Sequence, residues 1–258
     1  MDLFDLFEEY KKLWKILEKS FREDLKITER EIVKELKHWR SNKTNVKFDP
    51  DIIPYIEVSE YYNKRNTILF VGMNPSGADI PFYTEENKNH SHVLIYNGRS
   101  PYYQTMQKFA NECYEKDSTF AELDVFGIVQ AKQKVIEDDF QKNPQYYKKM
   151  FELFLKGMKE LDPEVIVVAN AFVRKIMLRE EPFNNNKYND FYGEYIPPTK
   201  NKDFGGYDIE IGSSEDPNRR KFKIYFSCML SGGHLDLGNR DNLIWLIQNY
   251  LKNRSKKL

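Results

Sequence analysis

The chain has 258 residues, of which 40% are hydrophobic and 31% charged, a balance that excludes a disordered protein. Forty Lys and Arg residues match forty Asp and Glu residues, so the chain as a whole does not attract polyanions, and any such site must be a local patch. Two cysteines exclude a disulfide framework, and with no long apolar run they predict a cytoplasmic protein without a membrane partner.

The first predicted elements are two amphipathic helices within residues 1–48. Apolar and aromatic side chains recur in the first helix at alternating steps of four and three, which places one face together: Leu3, Phe7, Tyr10, Trp14, Leu17 and Phe21. The second helix begins at a capping box formed by Thr28 and Glu31. We expect this helical pair to pack as an extension on a main domain that spans residues 49–258.

Short apolar segments alternate with helical patterns through the main domain. The predicted strands lie at residues 67–72, 124–129, 165–169 and 223–228. Helices are predicted to begin at Pro101 and near Pro144, to follow the third strand over residues 171–178, and to close the chain. The predicted fold is therefore α/β, a three-layer α/β/α domain with a four-stranded, mostly parallel central sheet, plus the N-terminal helical pair.

A polar segment at about residues 180–220 interrupts this alternation. It is rich in Asn, Gly, Pro and charged residues, which are typical of turns and loops. We interpret it as an insertion that contains a hairpin through residues 207–211 and 222–226.

The first predicted strand stops in a loop with the sequence Gly72, Met73, Asn74, Pro75, Ser76 and Gly77. Loops at the carboxyl ends of parallel strands bind ligands in open α/β sheets. Gly72 and Gly77 allow the main chain to approach a ligand closely, and the Asn74 carboxamide can orient a water or pair with a polar edge. The alternative is a plain turn in which Asn74 only caps its own backbone.

The loop after the last predicted strand carries a second group of polar residues, Ser231, Gly232, Gly233 and His234. The two glycines would let main-chain amides approach a phosphate, and Ser231 would add a hydroxyl. His234 is placed to donate to a carbonyl or to bind a phosphate. A flexible turn with a locally bonded histidine is the alternative.

The two motifs and the order of the predicted elements resemble the uracil-DNA glycosylase superfamily over residues 65–253. Residues 72–77 resemble the Gly-x-Asn-Pro motif of its mismatch-specific and single-strand-selective branches. Residues 227–234 occupy the place of the family's late loop but lack its proline. In the family a strand-end Asn usually reads the base edge, and residues 125–130 contain no Asn.

The resemblance implies a DNA glycosylase-like hydrolase that cleaves the N-glycosidic bond of a flipped uracil or another deaminated or damaged base. It implies that Asn74 places the water and that His234 donates to the base carbonyl, as the catalytic residues. The expected base-binding residues are Gly72, Met73, Pro75, Phe82, Tyr83 and Gln130, with Tyr102 and Tyr103 as rival stacking rings. The expected phosphate- and DNA-binding residues are Ser76, Gly77, Ser231, Gly232, Gly233 and Arg240.

The expected partner is DNA, single- or double-stranded, or a nucleotide, and the protein is expected to be a monomer without a cofactor. No metal is expected, because His90 and His92 lack a third ligand. The loop at residues 72–77 has neither a Walker A motif nor a dinucleotide fingerprint. The alternative functions are a nucleotide- or nucleic-acid-binding protein that does not cleave, and a protein-interaction module.

Overall fold

A computed structural model of the chain describes part of it in detail. The described residues are 56–59, 67–73, 93–96, 101–114, 118–126, 133–212, 219–228 and 237–254. The predicted helical pair within residues 1–48 lies outside them.

The described residues contain eight strands: β1 (Ile56–Ser59), β2 (Thr67–Gly72), β3 (Val93–Tyr96), β4 (Thr119–Asp124), β5 (Val165–Val168), β6 (Thr199–Lys200), β7 (Tyr207–Ile211) and β8 (Arg220–Phe226). They form one mixed sheet in the order β3-β1-β4-β2-β5-β8-β7-β6. The four central strands β4, β2, β5 and β8 are parallel to one another. Outside them, β1 pairs antiparallel with β4, and β7 pairs antiparallel with β8.

The predicted α/β class is therefore confirmed. The predicted number of strands, four, is wrong, because the described sheet has eight. The central strands are apolar because both faces of a parallel sheet are covered. The added strands flank this centre on both sides. The shortest of them, β6, consists of only two residues, and both are exposed. β1, β6 and β7 are short or polar segments that become strands by pairing with a neighbour, so their sequences carry no continuous apolar run. β3 is an apolar run, Val93–Tyr96, that was not predicted as a strand.

The helices are α1 (Pro101–Tyr114), α2 (Gln133–Lys142), α3 (Lys148–Leu161), α4 (Ala171–Met177), α5 (Asn189–Tyr192) and α6 (Leu237–Arg254). Short 3₁₀ helices at Pro144–Tyr147 and Asn186–Tyr188 precede α3 and α5. The predicted helix starts at Pro101 and near Pro144 are confirmed. The predicted inward face of the last helix is confirmed by burial of Leu243, Ile244 and Ile247. The sequence analysis did not predict α2.

Successive residues of β2 point into two separate hydrophobic clusters, one on each face of the sheet. Ile68 and Phe70 pack in a cluster with α1 and α6. Leu69 and Val71 pack in a larger cluster with α2, α3, α4 and α5. Helices therefore cover both faces, which is why every residue of Thr67–Val71 is buried.

The second central strand lies earlier than predicted. It is Thr119–Asp124 rather than residues 124–129, and its residues pair in register with β2 from Thr67 opposite Thr119 to Gly72 opposite Asp124. The apolar pair Val125 and Phe126 suggested a strand, but both residues follow it in a bend and are buried in the core. The Phe126 N–H donates to the Met73 carbonyl at 2.8 Å, which ties the two strand ends together.

The segment predicted as an insertion is structured where it is described. Its aromatic side chains are buried against α2 and α3 in the larger cluster: Phe183, Tyr188, Phe191, Tyr192 and Tyr195. The Arg179 guanidinium lies 4.3 Å from the ring centroid of Tyr192. The predicted hairpin is confirmed, because β7 and β8 pair antiparallel with Ile209 opposite Phe222.

Candidate functional site

The helices that come after neighbouring central strands in sequence pack on opposite faces of the sheet. α1, which comes after β2 in sequence, packs on one face. α2 and α4, which follow β4 and β5, pack on the other. In open α/β sheets such a change of direction leaves a crevice outside the carboxyl ends of the strands, and ligands bind there. β2 lies between β4 and β5 in the sheet, so its carboxyl end is a candidate ligand site.

Gly72, the last residue of β2, lies directly opposite Asp124, the last residue of β4. A Cβ on residue 72 would collide with the Asp124 Oδ1 atom and would lie 3.4 Å from its Cγ. The Val125 N–H donates to the Gly72 carbonyl at 3.2 Å. The close approach of the Asp124 carboxyl group therefore favours glycine at this position. From the sequence, Gly72 was instead predicted to let the main chain approach a ligand.

Met73 follows Gly72 and is 1% exposed, with its side chain in the core cluster beside Leu69 and Val71. Its predicted part in base binding therefore rests on its main chain, because its side chain packs inward.

A second carboxylate lies on the same side of β4. Glu122 and Asp124 are two residues apart in a strand, so their side chains point to the same face, which is the face of α1. Glu122 is 8% exposed, and Asp124 is partly buried. The Tyr102 hydroxyl, in the first turn of α1, donates to Glu122 Oε1 at 3.0 Å. We call Glu122, Asp124, Gly72 and Tyr102 the β2–β4 site.

The two carboxyl groups interact electrostatically. Burial, and secondarily the Glu122 carboxylate, raise the pKa of Asp124 well above its usual range. The folded protein therefore favours the protonated, neutral form of Asp124. A neutral carboxyl group offers one hydroxyl donor and one carbonyl acceptor, whereas a carboxylate can only accept.

Neither acid was predicted as a site residue, because the predicted strand began at Asp124. With that boundary, Gln130 ended the strand and Glu122 fell in a loop. The alternation of Phe120, Glu122 and Asp124 against Ala121 and Leu123 is the pattern that would have found them.

Most of the predicted site residues lie outside the described part of the chain, so their roles stay predictions. They are Asn74, Pro75, Ser76, Gly77, Phe82, Tyr83, Gln130, Ser231, Gly232, Gly233 and His234. His90 and His92 also lie outside it.

The two rival stacking rings at the start of α1 have different surroundings. Tyr103 is 5% exposed and stacks on Phe120 with ring centroids 6.3 Å apart, so it is a core residue. Tyr102 is partly buried, and its hydroxyl belongs to the β2–β4 site.

Arg240, predicted to bind phosphate, is engaged within the protein. Its Nη1 lies 2.7 Å from Glu112 Oε2 of α1, and its guanidinium lies 5.7 Å from the Phe109 ring centroid. The hydrogen bond to Arg240 lowers the pKa of Glu112. This pair joins α6 to α1.

Asn170, at the end of β5, is a helix cap. Its Oδ1 accepts hydrogen bonds from the Phe172 and Val173 N–H groups at 2.9 and 3.0 Å. Its Nδ2 donates to Gln133 Oε1 at 3.1 Å. These bonds give partners to both polar atoms of the Asn170 carboxamide, which is 7% exposed.

Among the described residues, no group of three or more His, Cys, Asp or Glu side chains has the arrangement needed to hold a metal ion. None of the helices described combines the length and apolar character that a membrane crossing demands.

No protein-family model and no curated protein matches this sequence.

Proposed function

We propose that this chain is a DNA glycosylase-like hydrolase that binds an extruded, deaminated or damaged base at the β2–β4 site. The observation that carries the proposal is the carboxyl group of Asp124, held against Gly72 at the carboxyl end of two central parallel strands. The resemblance of residues 72–77 to the Gly-x-Asn-Pro motif supports the choice of reaction.

Asp124 is assigned the reading of the base edge. It ends the second central strand, where the resembling family usually carries an Asn. A protonated carboxyl group matches a carboxamide in offering one donor and one acceptor side by side. Asp124 can therefore pair with a base edge that presents an N–H beside a carbonyl, as uracil and hypoxanthine do.

Glu122 is assigned a positioning role, because it acts through Asp124. Its negative charge opposes ionisation of the neighbouring carboxyl group and so keeps Asp124 able to donate. Tyr102 holds Glu122 by a hydrogen bond and fixes the orientation of its carboxyl group.

The hydrolytic step is assigned to the loop that follows β2. When the bond between base and sugar breaks, positive charge develops on the sugar and negative charge on the departing base. Asn74, the residue after Met73 in sequence, places the water that attacks the sugar, and His234 donates to the base carbonyl. An amide is a poor base, so a slow enzyme is expected.

The test is incubation of the full chain with end-labelled oligonucleotides that carry uracil, hypoxanthine or xanthine, followed by alkaline cleavage at abasic sites. We expect strand breaks that are lost in Asp124→Ala and Asn74→Ala and largely kept in Asp124→Asn, which preserves one donor and one acceptor. Asp241→Asn on α6, where the side chain is 73% exposed, is the matched control.

Two results would contradict the proposal. One is the absence of breaks with all three lesions while the protein still binds the oligonucleotides, which would favour a nucleic-acid-binding protein that does not cleave. The other is cleavage that persists unchanged in Asp124→Ala.

A further inference from the structure

A second crevice opens at the carboxyl end of β8. β5 and β8 are parallel neighbours, yet α4, which follows β5, packs on one face, and α6, which follows β8, packs on the other. A cavity of about 470 Å³ lies in this crevice. Its volume is within the range of small-molecule sites.

The cavity has an apolar floor and a polar rim. Its apolar lining comes from both layers and from the hairpin: Leu178, Tyr207, Tyr225, Phe226, Leu243 and Leu246. The polar side chains that line it are Arg174, Glu180, Ser227, Asn239 and Asn242. An apolar body with a few polar groups that fix orientation is the usual composition of a ligand pocket.

The floor is held in shape by contacts that cross between elements. The Tyr225 hydroxyl donates to the carbonyls of Phe204 and Leu246, which joins the loop before β7 to α6. Gly206 lies so close to β8 that a Cβ there would be 2.7 Å from the Ile224 carbonyl oxygen and 2.8 Å from the Tyr225 ring. The floor of the cavity is therefore built into the fold.

The lining groups suit the parts of a nucleotide. The rings of Tyr207 and Phe226, with centroids 5.2 Å apart at 80°, give flat and edge surfaces to a planar heterocycle. Asn242 is an exposed residue of α6 that lines the cavity, and its carboxamide can donate and accept at a base edge. Arg174 supplies a guanidinium, the group best matched to a phosphate.

We propose that this cavity binds a second nucleotide, with its base between α6 and the Tyr207–Phe226 floor and its phosphate at Arg174. Arg174 pairs with Glu180 at 3.2 Å, and both side chains are partly exposed, so this ion pair is weak and a phosphate can compete for the guanidinium.

The nucleotide in this cavity could belong to a DNA strand or be free in solution, because both have the same base and phosphate chemistry. β8 lies two strands from β2 and three from β4, spacings of about 10 and 14 Å, so a nearby nucleotide of a DNA strand held at the β2–β4 site is one source. A free nucleoside monophosphate is the other. The first source rests on the proposed function, whereas the second does not.

The test measures binding by calorimetry with dTMP and with thymidine, and by fluorescence anisotropy with a labelled single-stranded oligothymidylate, using the full chain. Asn242→Trp fills the mouth of the cavity from an exposed helix position, and Asn249→Trp places the same ring two turns away on α6. We expect Asn242→Trp to weaken binding at least about tenfold, and Asn249→Trp to change it by less than about twofold.

Two variants that each remove one positive charge from α4 test the phosphate contact. Arg174→Gln should weaken dTMP about tenfold and leave thymidine unchanged, since a charge-assisted hydrogen bond is lost. Lys175→Gln removes the adjacent exposed charge on α4 without touching the cavity and should leave dTMP affinity unchanged within about twofold. If dTMP binds but the oligonucleotide does not, the occupant is the free mononucleotide. If the oligonucleotide also depends on Asn242 and Arg174, it is the strand neighbour.

The proposal is overturned if neither dTMP nor the oligonucleotide binds, or if both bind Asn242→Trp as tightly as Asn249→Trp. Its failure is distinguishable from failure of the proposed function. Lesion cleavage with no cavity-dependent affinity defeats only this inference. Cavity-dependent binding of dTMP without cleavage of any lesion defeats only the hydrolase assignment.

Discussion

Asp124 occupies the space that a side chain on Gly72 would need. The two residues are register partners at the carboxyl ends of β4 and β2, and a Cβ on residue 72 would collide with Asp124 Oδ1. A glycine that was predicted from the sequence to let the main chain approach a ligand thus sets the position of a carboxyl group in the site.

Gly72→Ala is expected to move the Asp124 carboxyl group. Because the clashing atom belongs to a side chain that can rotate, the free energy of unfolding should fall by only about 1 to 2 kcal/mol. The cost should nearly vanish in a background of Asp124→Ala, which removes the colliding atom. Chemical denaturation of the two single variants and the double variant measures this coupling, and strictly additive losses would contradict it.

Asp124→Asn is expected to change how stability depends on pH. The pKa of Asp124 is raised in the folded protein, so its protonated form stabilises the fold at acid pH. That contribution is lost as pH rises through the raised pKa. The neutral amide escapes this loss, so the variant should gain stability relative to wild type toward neutral pH.

Thermal unfolding at steps from about pH 4 to about pH 8 checks this sign. The difference in Tm between Asp124→Asn and wild type should be small at the acid end and should grow in favour of the variant toward neutral pH. The exposed control Asp241→Asn should show no such growth. A difference that shrinks as pH rises would mean that Asp124 is ionised in the fold.

Gly206→Ala is expected to be among the more damaging glycine substitutions. The residue has φ of +60°, and its Cβ would lie 2.7 Å from the backbone oxygen of Ile224, which cannot move without distorting β8. We expect a loss of about 3 kcal/mol from strain and overpacking together.

Gly193→Ala is the matched control, because Gly193 also has positive φ, +52°, but its Cβ would have no atom within 4 Å. It should cost only the backbone strain, about 1 to 2 kcal/mol. Denaturant unfolding of the two variants separates crowding from strain, and equal losses would show that β8 accommodates the added carbon.

Lys223 places a charge inside the sheet, and the two members of its ion pair with Asp208 should respond differently to substitution. Its side chain is 1% exposed, and its Nζ lies 3.5 Å from Asp208 Oδ1 on β7. Burial lowers the pKa of Lys223. Lys223→Met should therefore change the free energy of unfolding by less than about 1 kcal/mol, or increase it.

Asp208→Ala should be worse, by about 2 to 4 kcal/mol, because it leaves the buried ammonium without a counter-charge. It also removes the acceptor of the Asn201 carboxamide, which lies 2.9 Å from Asp208 Oδ2. The double variant with Lys223→Met should recover most of the loss. If Asp208→Ala and Lys223→Met are equally mild, the pair contributes nothing that the fold requires.

The local pattern of residues determined much of the architecture. The apolar run at β2, the prolines at Pro101 and Pro144 and the apolar face of α6 were all recognisable, because each depends on residues adjacent in sequence or one helical turn apart. The α/β class follows from their alternation.

Only the tertiary structure decided which side chains meet at the carboxyl edge. Glu122 and Asp124 are unfavourable residues for a central strand in sequence terms. They are accommodated because Gly72 leaves room beside Asp124 and because Tyr102 donates to Glu122. Those contacts come from β2 and α1, elements distant in sequence, and no local propensity encodes them. The edge strands and the cavity beside β8 likewise exist only through pairing and packing between distant segments.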